Sequence, residues 1–314
     1  MNTPTRLAAF AAGLAVVFVG AVGVGNAVGP VGTAAGGPHG GGHSSTTDAE
    51  PDAGHGGGHG AGADRPDADT GPPVKGLSVS TDGYTLQLES PTAPVGTAAP
   101  FAFTITGPDG QPVTDFRPEH DKELHLIVVR RDTTGFQHVH PTRDPAGRWS
   151  VPLTMGSAGA YKVFADFVPD DRTDSLTLAA DFASAGSDEP QPLPAVSRTA
   201  TVDDYTVTLD GDLTAGTLSE LTLSVSKGGQ PVTDLQPYLA AYGHLVALRV
   251  GDLAYLHVHP DGEPGDRRTA AGPGITFYAD VPTAGDYRLY LDFQHQNVVR
   301  TAEFTATARQ QERS

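Results

Sequence analysis

The chain reads as all-β: an N-terminal hydrophobic segment and a disordered tether, followed by two tandem β-sandwich domains of immunoglobulin or cupredoxin type. Two observations predict this. HLIVVRRDTTGFQHVHP at 125–141 returns as HLVALRVGDLAYLHVHP at 244–260, and GQPVTD occurs at 110–115 and again at 229–234, each pair 119 positions apart. Both copies also break into short runs of β-branched and aromatic residues separated by Gly, Pro and Asp, without a long stretch of helical period. Two copies are too few for a solenoid, and roughly 100 residues per copy is a common domain size.

Residues 7–28 carry no charge and follow Arg6. Their length suits a membrane span, while Gly25-Asn26-Ala27 suits signal-peptide cleavage. Segment 1–29 therefore reads as a cleaved signal or a retained membrane anchor, and the rest of the chain as extracytoplasmic in either case. Residues 30–75 are rich in Gly, Ala, Asp and Pro and contain two HGGGH units, His39 to His43 and His55 to His59. So little apolar side chain cannot offset the entropy of ordering, which predicts a disordered tether whose histidines bind divalent metal weakly.

The first sandwich is expected over 76–183, with strands in GYTLQLES, APFAFTIT, ELHLIVVRR, FQHVH, WSVPLTM and AYKVFADF. A Pro- and Gly-containing linker follows at 184–196. The second sandwich, over 197–309, repeats the order with DYTVTLDG, SELTLSVS, HLVALRV, LAYLHVH, ITFYADV and DYRLYLDFQ. The AGAY and AGDY motifs that open the last of these strands are 126 positions apart, so the second copy carries seven extra residues around DGEPGDRRTAAGPG. The stretch LQPYLAAYG at 235–243 is expected to make one helical turn.

Histidine falls at matched places in the two copies: His125, His138 and His140, then His244, His257 and His259. Gly251-Asp252 reads as a two-residue hairpin turn pairing Val250 with Leu253, which sets His244 opposite His259 and puts His257 on the same face. The same register around Asp132-Thr133 sets His125 opposite His140. Opposed Cβ atoms lie about 4.5–5.5 Å apart and diagonal ones about 7–8 Å, which suits imidazoles converging on one ion in each domain. Three ordinary histidines per ion would make binding fade between about pH 7 and 5. The alternative is that these are structural histidines, repeated because the domain was duplicated. His120 has Leu239 at the matching position and reads as a surface residue, and His295 likewise lacks a partner in the other copy. Asp166 and Asp292 recur in ADF and LDF and read first as solvent-facing strand-end carboxylates, and otherwise as orienters of a histidine's second nitrogen.

Composition narrows the chemistry. The chain has no cysteine, which excludes disulfides, thiolate metal sites and a blue-copper centre. Met1 and Met155 are its only methionines, too few for a thioether-rich Cu(I) site. A net charge of −17 argues against nucleic acid as a partner. Imidazoles without thiolate suit Cu(II), Zn(II) or Ni(II), and the Irving–Williams order ranks Cu(II) first.

The histidine segments HLIVVRRD…FQHVHP and HLVALRVGD…LAYLHVHP resemble small bacterial extracytoplasmic β-sandwich domains of metal handling, the YtkA-like group and periplasmic copper-resistance proteins, over 76–308. The resemblance implies metal binding in the cell envelope. Such copper proteins often carry Met-rich ligand runs, absent here, so their Cu(I) chemistry does not transfer. The function expected is sequestration or hand-over of a divalent metal, Cu(II) ahead of Zn(II), with an envelope metal transporter or chaperone as partner. A non-metal cell-surface adhesion or interaction module is the alternative. A metal-dependent hydrolase ranks third, because no repeated general base accompanies the histidines.

Overall fold

The computed structural model describes residues 74–311. The hydrophobic segment and nearly all of the tether, with His39, His43, His55 and His59, lie outside the described residues. Each half forms a two-sheet sandwich, and the described residues contain no helix. In the first half, Ser80–Thr81, Tyr84–Leu88, Ala99–Thr106, Arg148–Leu153 and Thr142–Arg143 form one sheet in that order. The other runs Thr92–Ala93, Leu176–Ser184, Gly159–Pro169, Leu124–Arg130, Gln137–Val139. Trp149, Phe103 and Tyr161 are fully buried between them. The second half repeats the plan, with Gly243–Arg249, Gly285–His295 and Val298–Ala308 in the histidine-bearing sheet and Tyr205, Phe277 and Phe293 in the core.

The AGAY and AGDY motifs have a structural reason. Tyr161 Oη donates to the Ser157 carbonyl and Tyr287 Oη to the Thr283 carbonyl, both at 2.7 Å. Each tyrosine thus pins the corner that launches a long strand, as in the tyrosine corner of immunoglobulin-like sandwiches.

The strand register agrees with the sequence. Ala247 pairs with Leu256 and Leu248 with Tyr255, the register that opposes Val250 to Leu253. Leu126 pairs with Val139 and Ile127 with His138, the register that opposes His125 to His140. The turn differs. Arg249 N–H bonds the Ala254 carbonyl and Leu253 N–H the Arg249 carbonyl, so the loop is 250–253 rather than two residues. Leu253 adopts φ 60° and is fully buried. The extra residues let it fold into an apolar contact instead of facing solvent. Likewise, 235–243 makes a tight turn and not a helical one: Tyr238 bridges Ala241, with positive φ at Leu239 and Ala240, the backbone of a type I′ turn. The first copy matches it, with Glu119 bridging Lys122 across His120 and Asp121.

Leu124–Arg130 is buried along its whole length because both of its faces are covered. Leu124, Leu126 and Val128 point into the first core. Ile127 and Val129 point outward and join Phe164, Ala179, Val246, Leu248, Leu253 and Tyr290 in a separate apolar cluster built from both halves. The two histidine-bearing faces therefore pack against each other. Phe136 stacks on Tyr290 at 4.0 Å, and Phe164 meets Tyr255 at 5.7 Å. Phe136 corresponds to Tyr255 and Phe164 to Tyr290, so the contact has an approximate two-fold correspondence. At 75–76 the N-terminal segment joins in, where Tyr255 N–H donates to the Lys75 carbonyl.

Candidate metal centre

His125 lies near the start of its strand, and the ladder brings His138 and His140 to its side. Ring centroids are 5.3 Å apart for His125–His138, 5.0 Å for His125–His140 and 4.8 Å for His138–His140. His125 Nδ1 is 3.1 Å from His138 Nε2 and 3.2 Å from His140 Nε2. All three ligand atoms lie within 4.8 Å of one another. A tetrahedral ion with metal–nitrogen bonds of about 2.1 Å would space its ligands about 3.4 Å apart, so the donor set fits such an ion after small adjustments.

The outer hydrogen bonds fix which nitrogens are bare. His125 Nε2 lies 3.0 Å from the Glu119 carbonyl, which can only accept, so Nε2 carries the proton and Nδ1 of the neutral ring has none. His138 Nδ1 lies 2.8 Å from Asp292 Oδ2 and donates to it, leaving Nε2 of the neutral ring bare. With both rings neutral, two lone pairs would face each other at 3.1 Å. A proton on His140 Nε2 can satisfy His125 but leaves His138 unmet. Extra protons are also disfavoured: burial, then the neighbouring His138, pushes His125 down to about 3. Burial followed by His138 and His125 pushes His140 down to about 2.

Asp292 corrects an expectation. It does not face solvent but is buried in the contact between the halves, with Thr301 Oγ1 donating to its second oxygen at 2.6 Å. The histidine it orients belongs to the other copy. Asp166, its counterpart, is half-buried and accepts from Thr177 at 2.8 Å, and desolvation raises its pKa.

The second set does not assemble. His244 repeats the local pattern, with Nε2 donating to the Tyr238 carbonyl at 2.8 Å. Tyr255–Leu256, however, leaves the ladder at once, and Val258–Pro260 pairs with Gly274–Val281 in the opposite sheet. Val258 matches Val139, which still pairs with Leu126 in the first copy, so the crossing comes earlier here. Asp280 N–H holds the His257 carbonyl on the new sheet. His257 and His259 keep close company, with centroids 3.9 Å apart, but are drawn away from His244. Among the described residues, His125, His138 and His140 are the one group of three histidines within ligand distance.

Of the remaining histidines, His120 is not the surface residue expected. His120 occupies the first central position of its turn and is half-buried, 5.1 Å from the His244 ring, with burial lowering its pKa. His295 is buried in the second core, between the Tyr205 hydroxyl at 2.7 Å and Asp234 at 3.1 Å. It is a structural residue. Nothing in the sequence pairs His138 with Asp292, since the partners belong to different copies and only the packing of the halves unites them.

Solved structures that resemble the chain are multi-domain β proteins. FdeC, an adhesin of Escherichia coli, is 16% identical with a TM-score of 0.24, over 74% of this chain and 66% of that one, so the chain spans just under two thirds of it. Invasin, a bacterial integrin-binding protein, is 14% identical at a TM-score of 0.21, over 71% of this chain and 39% of that one. A chimeric titin Z1Z2 tandem is 13% identical at 0.19, over 72% and 97%. At TM-scores this low, none of them bears on function. No curated protein matches the sequence. The profile of a domain of unknown function, DUF8832, matches residues 79–183 and again 200–310, and the chain belongs to that family.

Proposed function

We propose that the protein binds a divalent metal outside the cytoplasm, Cu(II) ahead of Zn(II), for sequestration or hand-over to an envelope transporter or chaperone. The ion is held tightly once per chain, by His125, His138 and His140. The observation that carries this reading is the 3.1 Å approach of His125 Nδ1 to His138 Nε2, each on a ring whose other nitrogen faces an acceptor, an arrangement that a cation relieves when both rings are neutral. Buried neutral imidazoles and a carboxylate behind His138 are the surroundings that raise metal affinity. The resemblance to envelope metal-handling domains agrees with it, and the tether histidines add weak capacity. The test is metal analysis and competition titration of the full chain with Cu(II). One tight equivalent is expected, and His138→Ala removes it while weak binding at the tether persists. An unchanged tight equivalent in that variant would reject the assignment.

A second reading is favoured by the buried His138–Asp292 contact itself. Through its contacts with Asp292 and His125, His138 would staple the halves of a cell-surface interaction module without metal. On that reading His138→Ala lowers stability, and wild type shows no tight metal site.

A further inference from the structure

His138 has 4% of its side chain exposed, so an ion needs a route to the triad. A cavity of about 90 Å³ between the two halves reaches it, lined among others by His120, His125, His138, His244, His257 and His259. That is room for about three waters at about 30 Å³ each, enough for a partly hydrated ion. A larger open cavity of about 680 Å³ adjoins it and shares Glu119, His257 and His259 with it. Histidine burial deepens along this line: His259 is exposed, His257 and His120 are half-buried, and His244 and His125 are buried. His244 turns its proton-bearing nitrogen to the Tyr238 carbonyl, which leaves Nδ1 of the neutral ring bare.

We propose that the second-copy histidines are an uptake route and not a second site: His257 and His259 capture a divalent ion at the mouth, and His120 and His244 pass it to the triad. This inference rests on the metal reading above. It explains why duplication kept all three second-copy histidines although the strand crossing parts them. A pair of imidazoles holds an ion more weakly than three, as a transit point must. A residue on the path changes loading and unloading by the same factor and leaves their ratio, the affinity, untouched.

The experiment compares the full-length protein with its H257Q/H259Q variant, using aqueous Cu(II) in a non-chelating buffer. Stopped-flow absorbance follows loading, and excess EDTA follows release. Both proteins retain the tether histidines, so weak rapid binding is common to both. Loading and release are each expected to slow roughly ten-fold, equivalent to about 1.4 kcal/mol of barrier, with one tight equivalent and unchanged affinity. Loss of a tight equivalent would establish a second site and overturn the route. Unchanged or faster rates would overturn it as well. Should wild type itself take up no tight Cu(II), the metal reading fails first and the route with it. If the double variant misfolds, H259Q alone, at an exposed side chain, gives the same comparison.

Discussion

Asp292 decides which nitrogen of His138 is free to bind. Its carboxylate holds the Nδ1 proton, is itself held by Thr301, and reaches His138 from the other half of the molecule. Removing the charge lets the ring rotate and exchange tautomers. Asp292→Asn should therefore weaken the proposed metal site by about 10–100-fold, the usual effect of losing such a partner. Asp166→Asn makes the same chemical change in the matching position, where the carboxylate accepts from Thr177, and should leave metal affinity alone. Chelator competition measures both. A purely structural Asp292 would instead lower the melting temperature of the metal-free protein while metal affinity in the variant stayed at the wild-type value.

The strand pairs of the histidine hairpins were legible because side chains alternate with a period of two, and a one-residue slip would bury the wrong face. That logic located His125, His138 and His140 on one face from spacing alone. It failed for His257 and His259, because the point where a strand leaves one sheet for the other depends on which free edge is within reach. Here Gly274–Val281 offers that edge, and no local pattern announces it. Nor does sequence periodicity show that both histidine faces pack on each other, since a face covered by its duplicate looks like any half-apolar face. Tyr290 tests that packing. It is fully buried, stacks on Phe136 at 4.0 Å and donates to the Thr133 carbonyl at 2.6 Å. Tyr290→Ala should cost about 3–5 kcal/mol, as for other large buried aromatics, and weaken metal binding because Asp292 shares its strand. A loss below about 1 kcal/mol in urea unfolding, well short of that range, would mean the faces do not pack in solution.

At the scale of the whole molecule, the histidines couple folding to pH. The metal-free protein buries His125, pushed down to about 3, and His244, pushed down to about 4, both chiefly by burial. An unfolded chain would titrate them near 6.5. Their folded values are depressed, so below about pH 6.5 the unfolded state takes up protons that the folded state refuses. Stability is fully present above that pH and falls as the pH drops toward the folded values. The slope is up to about 1.4 kcal/mol per pH unit for each histidine. The same depression alters the expectation for metal binding. His125 and His140 take up no extra proton by pH 5, so neither should release one on binding, and affinity should fall across pH 7 to 5 less steeply than three ordinary histidines would require. Urea unfolding of the metal-free full chain with chelator present, at about pH 7.5 and 5.5 on either side of the ordinary histidine value, checks the stability statement. The midpoint should be lower at the acidic end, and saturating Cu(II) should raise both midpoints without narrowing the difference, because these imidazoles are already unprotonated in the metal-free folded state. Equal midpoints without metal would mean the histidines are open to water in the folded protein. That would remove the buried, neutral imidazoles on which the proposed metal site rests.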